Sequence, residues 1–223
     1  MTTEWKVAVG GEQTSAIYEP ATSGTDAALF VCAHGAGGNM LDRGMTATAN
    51  VLRANGLGVV RFNFLYKEKK SGRPDPMPLL IATTRAVIAH ARDELAPSRL
   101  VIGGRSMGGR AASMLAAEGF NAGGLLLLAY PLHPAGQPEK LRDAHLGAIH
   151  IPVLCFNGTR DALCTRSLME TVLAKRAPPA GSWDMQWIDG ADHMFHVLKS
   201  SGRTDAEVMV QIGRAAGQWA AEL

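Results

Sequence analysis

The sequence predicts an α/β fold: a mainly parallel central sheet with helices on both faces. Three observations carry this. Short β-like runs alternate with segments of helical periodicity along the chain. The runs at residues 27–33, 124–129 and 151–157 are almost continuously apolar, as strands covered on both faces are. Most helix-like segments lie between two such runs, and crossover helices are how parallel strands are joined.

Taken in order, residues 5–9 and 16–19 form an opening pair of strands, and 27–33 is the third. Residues 45–55 predict a helix stopped by Gly56, followed by a strand at 59–64. From 79 to 95, Leu80, Thr84, Val87, Ile88, Ala91 and Leu95 recur at helical spacing, and the pattern stops before Pro97. A strand at 99–103 leads into a helix at 106–118, closed by Gly119. Strands at 124–129 and 151–157 follow, then a helix at 165–175 and a last strand at Trp183–Ile188. A helix at 204–223 ends the chain, with Val208, Met209, Ile212, Ala216, Trp219 and Leu223 on one face. No polar linker divides the sequence, so residues 1–223 are expected to form one domain.

Composition excludes several classes. With 47% hydrophobic and 19% charged residues, the 223-residue chain is that of an ordinary globular protein. A net charge of +2 is too small to make nucleic acid or an anionic membrane the main partner. No stretch approaches the ~20 apolar residues of a membrane span. The opening residues lack a basic segment followed by an apolar one, which predicts a cytoplasmic protein. Cys32, Cys155 and Cys164 lie in or beside apolar runs and are expected to be reduced, buried thiols. No Cys/His cluster has zinc-ligand spacing. Nothing in the sequence specifies an oligomeric state.

The most informative segment is Gly104-Arg105-Ser106-Met107-Gly108, set between a β-branched run and a helical one. It fits the Gly-x-Ser-x-Gly nucleophile elbow, in which a strand turns sharply into a helix and holds the serine hydroxyl above the sheet edge. The pentapeptide alone also fits a glycine-rich turn with Ser106 as a helix cap. Asp161 follows the strand at 151–157 and His193 follows the last strand, which puts both on the carboxyl rim of the sheet with Ser106. Taken singly, Asp161 also fits a turn former and His193 a surface loop residue. Together the three fill complementary roles. A serine hydroxyl needs a base, imidazole titrates near neutrality, and a carboxylate fixes the imidazole tautomer. This chemistry requires neither metal nor organic cofactor. Asp192, His196 and Asp184 are the nearby rivals. Asp192 adjoins His193 in the chain, His196 falls a turn later, and Asp184 lies within a strand.

A small-residue loop, His34-Gly35-Ala36-Gly37-Gly38, follows the third strand. Such a loop lets backbone N–H groups approach an oxyanion; the N–H groups of Ala36 and Met107 are the expected donors. His34 is expected to be structural. Gly35, Tyr130 and His133 are candidate substrate-binding residues, although turn chemistry also explains the last two. Arg105 is expected to form a salt bridge beneath the site. Lys67, Lys69, Lys70 and Arg73 lie in a loop on the same rim, which either attracts an acidic substrate or partner or is only solvated.

Together, 34–38, 104–108, Gly158-Thr-Arg-Asp161 and Gly190-Ala-Asp-His193 resemble the α/β-hydrolase superfamily over nearly the whole chain. The resemblance is to its small lidless branch, the dienelactone-hydrolase-like proteins. It is greatest to the testis-expressed-protein-like predicted hydrolases, through Tyr130-Pro-Leu-His-Pro-Ala-Gly-Gln-Pro-Glu-Lys-Leu-Arg142 and His145-Leu146. The resemblance implies an α/β-hydrolase fold without a large cap domain, and a serine hydrolase acting on a small-molecule ester or thioester. Dienelactone hydrolase has a cysteine nucleophile where this chain has Ser106, so its particular reaction is not implied. Some relatives serve as scaffolds, so the alternative is a protein-interaction module on the same fold.

Overall fold

The computed structural model describes residues 2–22, 24, 26–177 and 180–223. Its elements are β1 (Thr3–Val9), β2 (Glu12–Glu19), β3 (Ala28–Ala33), α1 (Arg43–Arg53), β4 (Leu57–Phe62), α2 (Leu65–Glu68), α3 (Met77–Leu95), β5 (Leu100–Arg105), α4 (Met107–Ala117), β6 (Gly124–Leu128), β7 (Val153–Gly158), α5 (Arg166–Ala174), β8 (Trp183–Ile188) and α6 (Asp205–Glu222). The strands form one eight-stranded sheet in the order β1-β2-β4-β3-β5-β6-β7-β8. β1 and β2 are antiparallel, as are β2 and β4, and every later pairing is parallel.

The apolar runs are continuous because the sheet is covered on both sides. Leu29, Val31, Leu125, Leu127, Val153 and Cys155 face one core with residues of α3, α4 and α5. Their chain neighbours Phe30, Cys32, Leu126, Leu128, Leu154 and Phe156 face a second core with α1 and α6. Period-two alternation thus sends every residue of a strand into an apolar layer. α6 starts where the sequence places it because Thr204 and Glu207 form a capping box: each side chain accepts from the other's N–H, at 3.3 and 2.7 Å. All three cysteines are free and buried.

Some boundaries differ from expectation. β2 starts at Glu12 rather than 16, because the Gly10-Gly11 turn pairs Val9 with Glu12 and the ladder carries the polar residues 12–15. β4 ends at Phe62; Asn63 and Phe64 leave the sheet to enter α2, a single turn that the sequence hides. Between β6 and β7 the chain makes only a 3-10 turn, Leu146–Ala148, so no helical cap covers the rim. Among the described residues, no helix is long and apolar enough to cross a membrane.

His34 joins the ends of β3 and β4. The Phe64 N–H donates to its Nε2 (3.2 Å), which leaves Nδ1 to carry the proton and donate to the Gly35 carbonyl (2.8 Å). The ring is fully buried. Burial pulls its pKa down to about 4, so it is held neutral.

Two outcomes follow for stability. Leu127→Ala, at a site with no exposed surface, is expected to cost about 2–5 kcal/mol by chemical denaturation, whereas Val210→Ala, 53% exposed, should stay within about 0.5 kcal/mol. The second concerns pH. Unfolded imidazole titrates near 6.5, so between about 6.5 and 4 the unfolded chain binds the proton that folded His34 refuses. Stability is therefore expected to fall as pH drops through that window, with His34 contributing on the order of 2–3 kcal/mol. Denaturation curves at pH 7 and 4.5 check this, and His34→Asn should show a shallower pH slope than the native chain.

Candidate active site

Ser106 sits between β5 and α4 with φ 50° and ψ −116°, a conformation that a non-glycine residue adopts only when its surroundings impose it. Its N–H donates to the Leu128 carbonyl (2.9 Å), and its carbonyl accepts from Arg110 N–H (2.9 Å), which opens the helix. The turn presses on the end of β3. At Gly104, φ is 150° and a Cβ would collide with the Ala33 backbone. At Gly108, a Cβ would stand 2.5 Å from the Ala33 oxygen and 2.6 Å from that of His34. Only glycine at both positions lets the elbow close this far.

The structure brings Ser106, His193 and Asp161 together. Ser106 Oγ lies 2.8 Å from His193 Nε2, and His193 Nδ1 lies 2.8 and 3.0 Å from the two Asp161 oxygens. A carboxylate only accepts, so Nδ1–H donates to Asp161 and Nε2 offers its lone pair to the serine hydroxyl. The Asp161 side chain has no exposed surface, against 22% for His193. Two further donors hold the buried charge: Leu163 N–H (2.8 Å) and Asn157 Nδ2 (3.0 Å). Asn157 also donates to the Tyr130 carbonyl (3.0 Å) and accepts the Tyr130 N–H (3.1 Å). It thereby ties the Asp161 loop to the end of β6. Sequence reasoning passes over Asn157, because an asparagine ending a strand resembles a turn former.

The rivals are engaged elsewhere. Asp192 accepts from Met194 N–H (2.8 Å) and His196 N–H (3.0 Å), shaping the turn that presents His193. His196 pairs with Asp205 at 2.9 Å, and Asp184 accepts from Gln186 at 3.0 Å. Arg105 differs from expectation. Among the described residues it forms no salt bridge; its Nη2 donates to the His193 carbonyl (3.3 Å), and its guanidinium stacks 5.6 Å from the Phe195 ring centroid. Burial lowers its pKa. The residue before the serine therefore holds the histidine loop.

The loop after β3 is fixed from below. Asp42 accepts from both the main-chain N–H and the side-chain amide of Asn39, each at 2.7 Å. Arg61, buried within β4, donates to the Met40 carbonyl and pairs with Glu19 at 2.6 Å. An arginine inside the apolar run 57–62 is the sequence signal for that clamp. Above it, Gly35 and Ala36 face Ser106 across the first of two cavities, of about 270 Å³, lined also by Asp42, Met45, Arg105 and Met194. The second, of about 530 Å³, shares Ala36, Ser106 and Leu163 and adds Met107, Asp75, Met77, Arg110 and Arg142. Met107 is the first residue of α4, and an N–H at that position has no partner within the helix.

Two expected lining residues are corrected. Tyr130 and His133 lie outside both cavities, buried at 0% and 2% exposure. The Tyr130 hydroxyl donates to the Arg142 carbonyl (2.6 Å). His133 Nδ1 donates to the Pro134 carbonyl, and its Nε2 accepts from Thr165, the N-cap of α5. Both brace the β6–β7 connection. The basic loop makes its own contacts. Lys69 pairs with Glu12 at 2.7 Å, Lys67 rests over the Tyr66 ring, and the member of that loop at the cavity is acidic Asp75. Among the described residues, no group of three or more His, Cys, Asp or Glu side chains is arranged to hold a metal ion.

Known structures of this architecture share the arrangement of the chain. An α/β serine hydrolase homologue from Coxiella burnetii is 19% identical, with 94% of this chain and 96% of that one aligned at a TM-score of 0.74. A serine hydrolase without a lid from Xanthomonas campestris is 19% identical over 98% and 94% of the two chains, TM-score 0.72. Dienelactone hydrolase from Anabaena variabilis is 19% identical over 98% and 96%, TM-score 0.73. At such identities the likeness is one of fold. The sequence itself matches the family model of the alpha/beta hydrolase domain over residues 26–221. With that match spanning nearly the whole chain, on a lidless sheet of this topology, the protein belongs to the α/β-hydrolase family.

Proposed function

We infer that the protein is a serine hydrolase cleaving a carboxylic ester or thioester through an acyl-enzyme on Ser106. The observation that carries this is the hydrogen-bonded line from Ser106 Oγ through His193 to buried Asp161, each contact at 2.8 Å, with the serine in a strained elbow. Ser106 Oγ attacks the carbonyl carbon while His193 Nε2 takes its proton. Asp161 holds the tautomer and stabilises the imidazolium as it forms. The N–H groups of Ala36 and Met107 receive the oxyanion; a donor of this kind contributes ~2.7–4 kcal/mol to the barrier in related chemistry. The carbon–oxygen or carbon–sulfur bond then breaks, and the alcohol or thiol leaves with the proton from His193. Water attacks the acyl-enzyme, its proton passes to Nε2, and the acid departs as Ser106 recovers its hydrogen. Arg105, Asn157 and Asp192 act indirectly, by holding the loops that carry the histidine and the aspartate. The uncapped rim suits small or flexible acyl substrates.

Labelling with a fluorophosphonate probe tests this reading directly. The native chain should be labelled and Ser106→Ala should not, with ester turnover reduced at least about 10³-fold and thermal stability nearly unchanged. Equal hydrolysis by both proteins would remove Ser106 from the mechanism. Asp161→Asn preserves the shape but presents the wrong partner to Nδ1, so kcat should fall about 10²–10⁴-fold with KM little altered. Steady-state kinetics on a 4-nitrophenyl ester separates the two parameters.

A further inference from the structure

The larger cavity beside Ser106 holds two arginines that the hydrolytic machinery does not use. Arg110 lies four residues after Ser106 on α4, and side chains at that spacing share a helix face. Arg142 lines the same cavity from the β6–β7 connection. Its main chain is clamped on both sides: its N–H donates to the Leu132 carbonyl (2.7 Å) and its carbonyl accepts the buried Tyr130 hydroxyl (2.6 Å). The guanidinium itself makes one long bond, 3.4 Å, to the Pro131 carbonyl. Among the described residues Arg110 makes no side-chain hydrogen bond, and its Nε is buried and unsatisfied. Among the described residues neither arginine has a carboxylate partner. Asp75, the acidic residue of the lining, accepts the Tyr66 N–H at 2.9 Å.

Two cations lining one cavity, neither with an ion-pair partner among the described residues, are unfavourable in the folded chain. The strain registers on their neighbours. Burial and then Arg110 lower the pKa of Arg142, and the same two causes hold His145, bonded to Ser113, at about 4. An arginine fork matches a carboxylate, and two arginines lining one cavity beside Ser106 can bind one in a defined orientation. With Asp75 also in the lining, the cavity carries a net single positive charge, which suits a carboxylate better than a dianionic phosphate.

Resting on the serine hydrolase reading above, we propose that Arg110 and Arg142 form a carboxylate-binding subsite, and that the substrate is an ester or thioester bearing a second, free carboxylate. Two ester pairs test this. Mono-4-nitrophenyl glutarate against 4-nitrophenyl pentanoate places the carboxylate on the acyl side, and 4-acetoxybenzoate against phenyl acetate places it on the leaving group. In one of the two series the acidic ester is expected to have the higher kcat/KM, by at least about tenfold. Arg110→Gln and Arg142→Gln should each cut that ratio by about tenfold, through KM, and the double variant should bring it near one. Arg142→Lys keeps the charge and should retain part of the ratio, which guards against a folding artefact. Lys69→Ala, on the outer loop, should leave the ratio unchanged. A ratio near one in both series, or a ratio indifferent to both arginines, overturns the subsite. Calorimetric titration of glutaric acid monomethylamide into Ser106→Ala reads the subsite without turnover. Binding that is lost in Arg110→Gln and Arg142→Gln supports it even if no ester is hydrolysed, in which case the catalytic reading fails alone. Hydrolysis of the neutral esters, with neither such binding nor a preference for the acidic ester in either series, overturns the subsite and leaves the catalytic reading standing.

Discussion

The close approach of the β5–α4 turn to the end of β3 is the contact on which the rest of the site depends. Gly104 and Gly108 bring that turn against the Ala33 and His34 backbone, where no Cβ fits. From this follow the left-handed φ of Ser106 and the nearness of its side chain to Gly35 and Ala36. A parallel sheet makes the approach possible, because β3 and β5 are neighbours that end on the same rim. His34 then fixes the vertical position of the β3 loop by linking its own carbonyl neighbour to the start of α2. The site is thus an outcome of backbone packing before any side chain is considered.

Around that contact the fold places several buried polar groups and satisfies them with main chain. Asp161 is held by His193, Asn157 and the Leu163 N–H, and Arg61 by Glu19 and the Met40 carbonyl. Each such group would be costly if left alone, so each loop that borders the cleft has one dominant conformation. Arg110 departs from this economy, its Nε buried and unsatisfied beside Ser106.

The succession of strands and helices and the rim positions of Ser106, Asp161 and His193 were legible because they follow from periodicity and from short motifs whose glycines have a steric reason. The continuous apolar strands declared a sheet covered on both faces, and the apolar face from Val208 to Leu223 declared α6. Other features were not legible, for physical reasons. A polar strand such as residues 12–15 carries no hydrophobic signal, since its partner's ladder holds it. A single turn such as α2 is too short for periodicity. Tyr130 and His133 sit in a proline-rich connection whose course is set by tertiary packing, so their burial could not be told from chain position. Arg105 invited a carboxylate partner by its charge, yet it found a carbonyl and an aromatic ring eighty to ninety residues away. Long-range hydrogen bonds of that kind leave no trace in local composition.

The bond from Arg105 to the His193 carbonyl has a mechanical meaning. Arg105 is covalently joined to Ser106, so the loop that carries the imidazole is fastened to the strand that carries the hydroxyl. Loops on a sheet rim fluctuate more than the strands below them. Through this bond a displacement of the 189–196 loop pulls on the residue next to Ser106, which ties the two segments together mechanically. A rim open to solvent can in this way hold Ser106 Oγ and His193 Nε2 at 2.8 Å without a lid to clamp them.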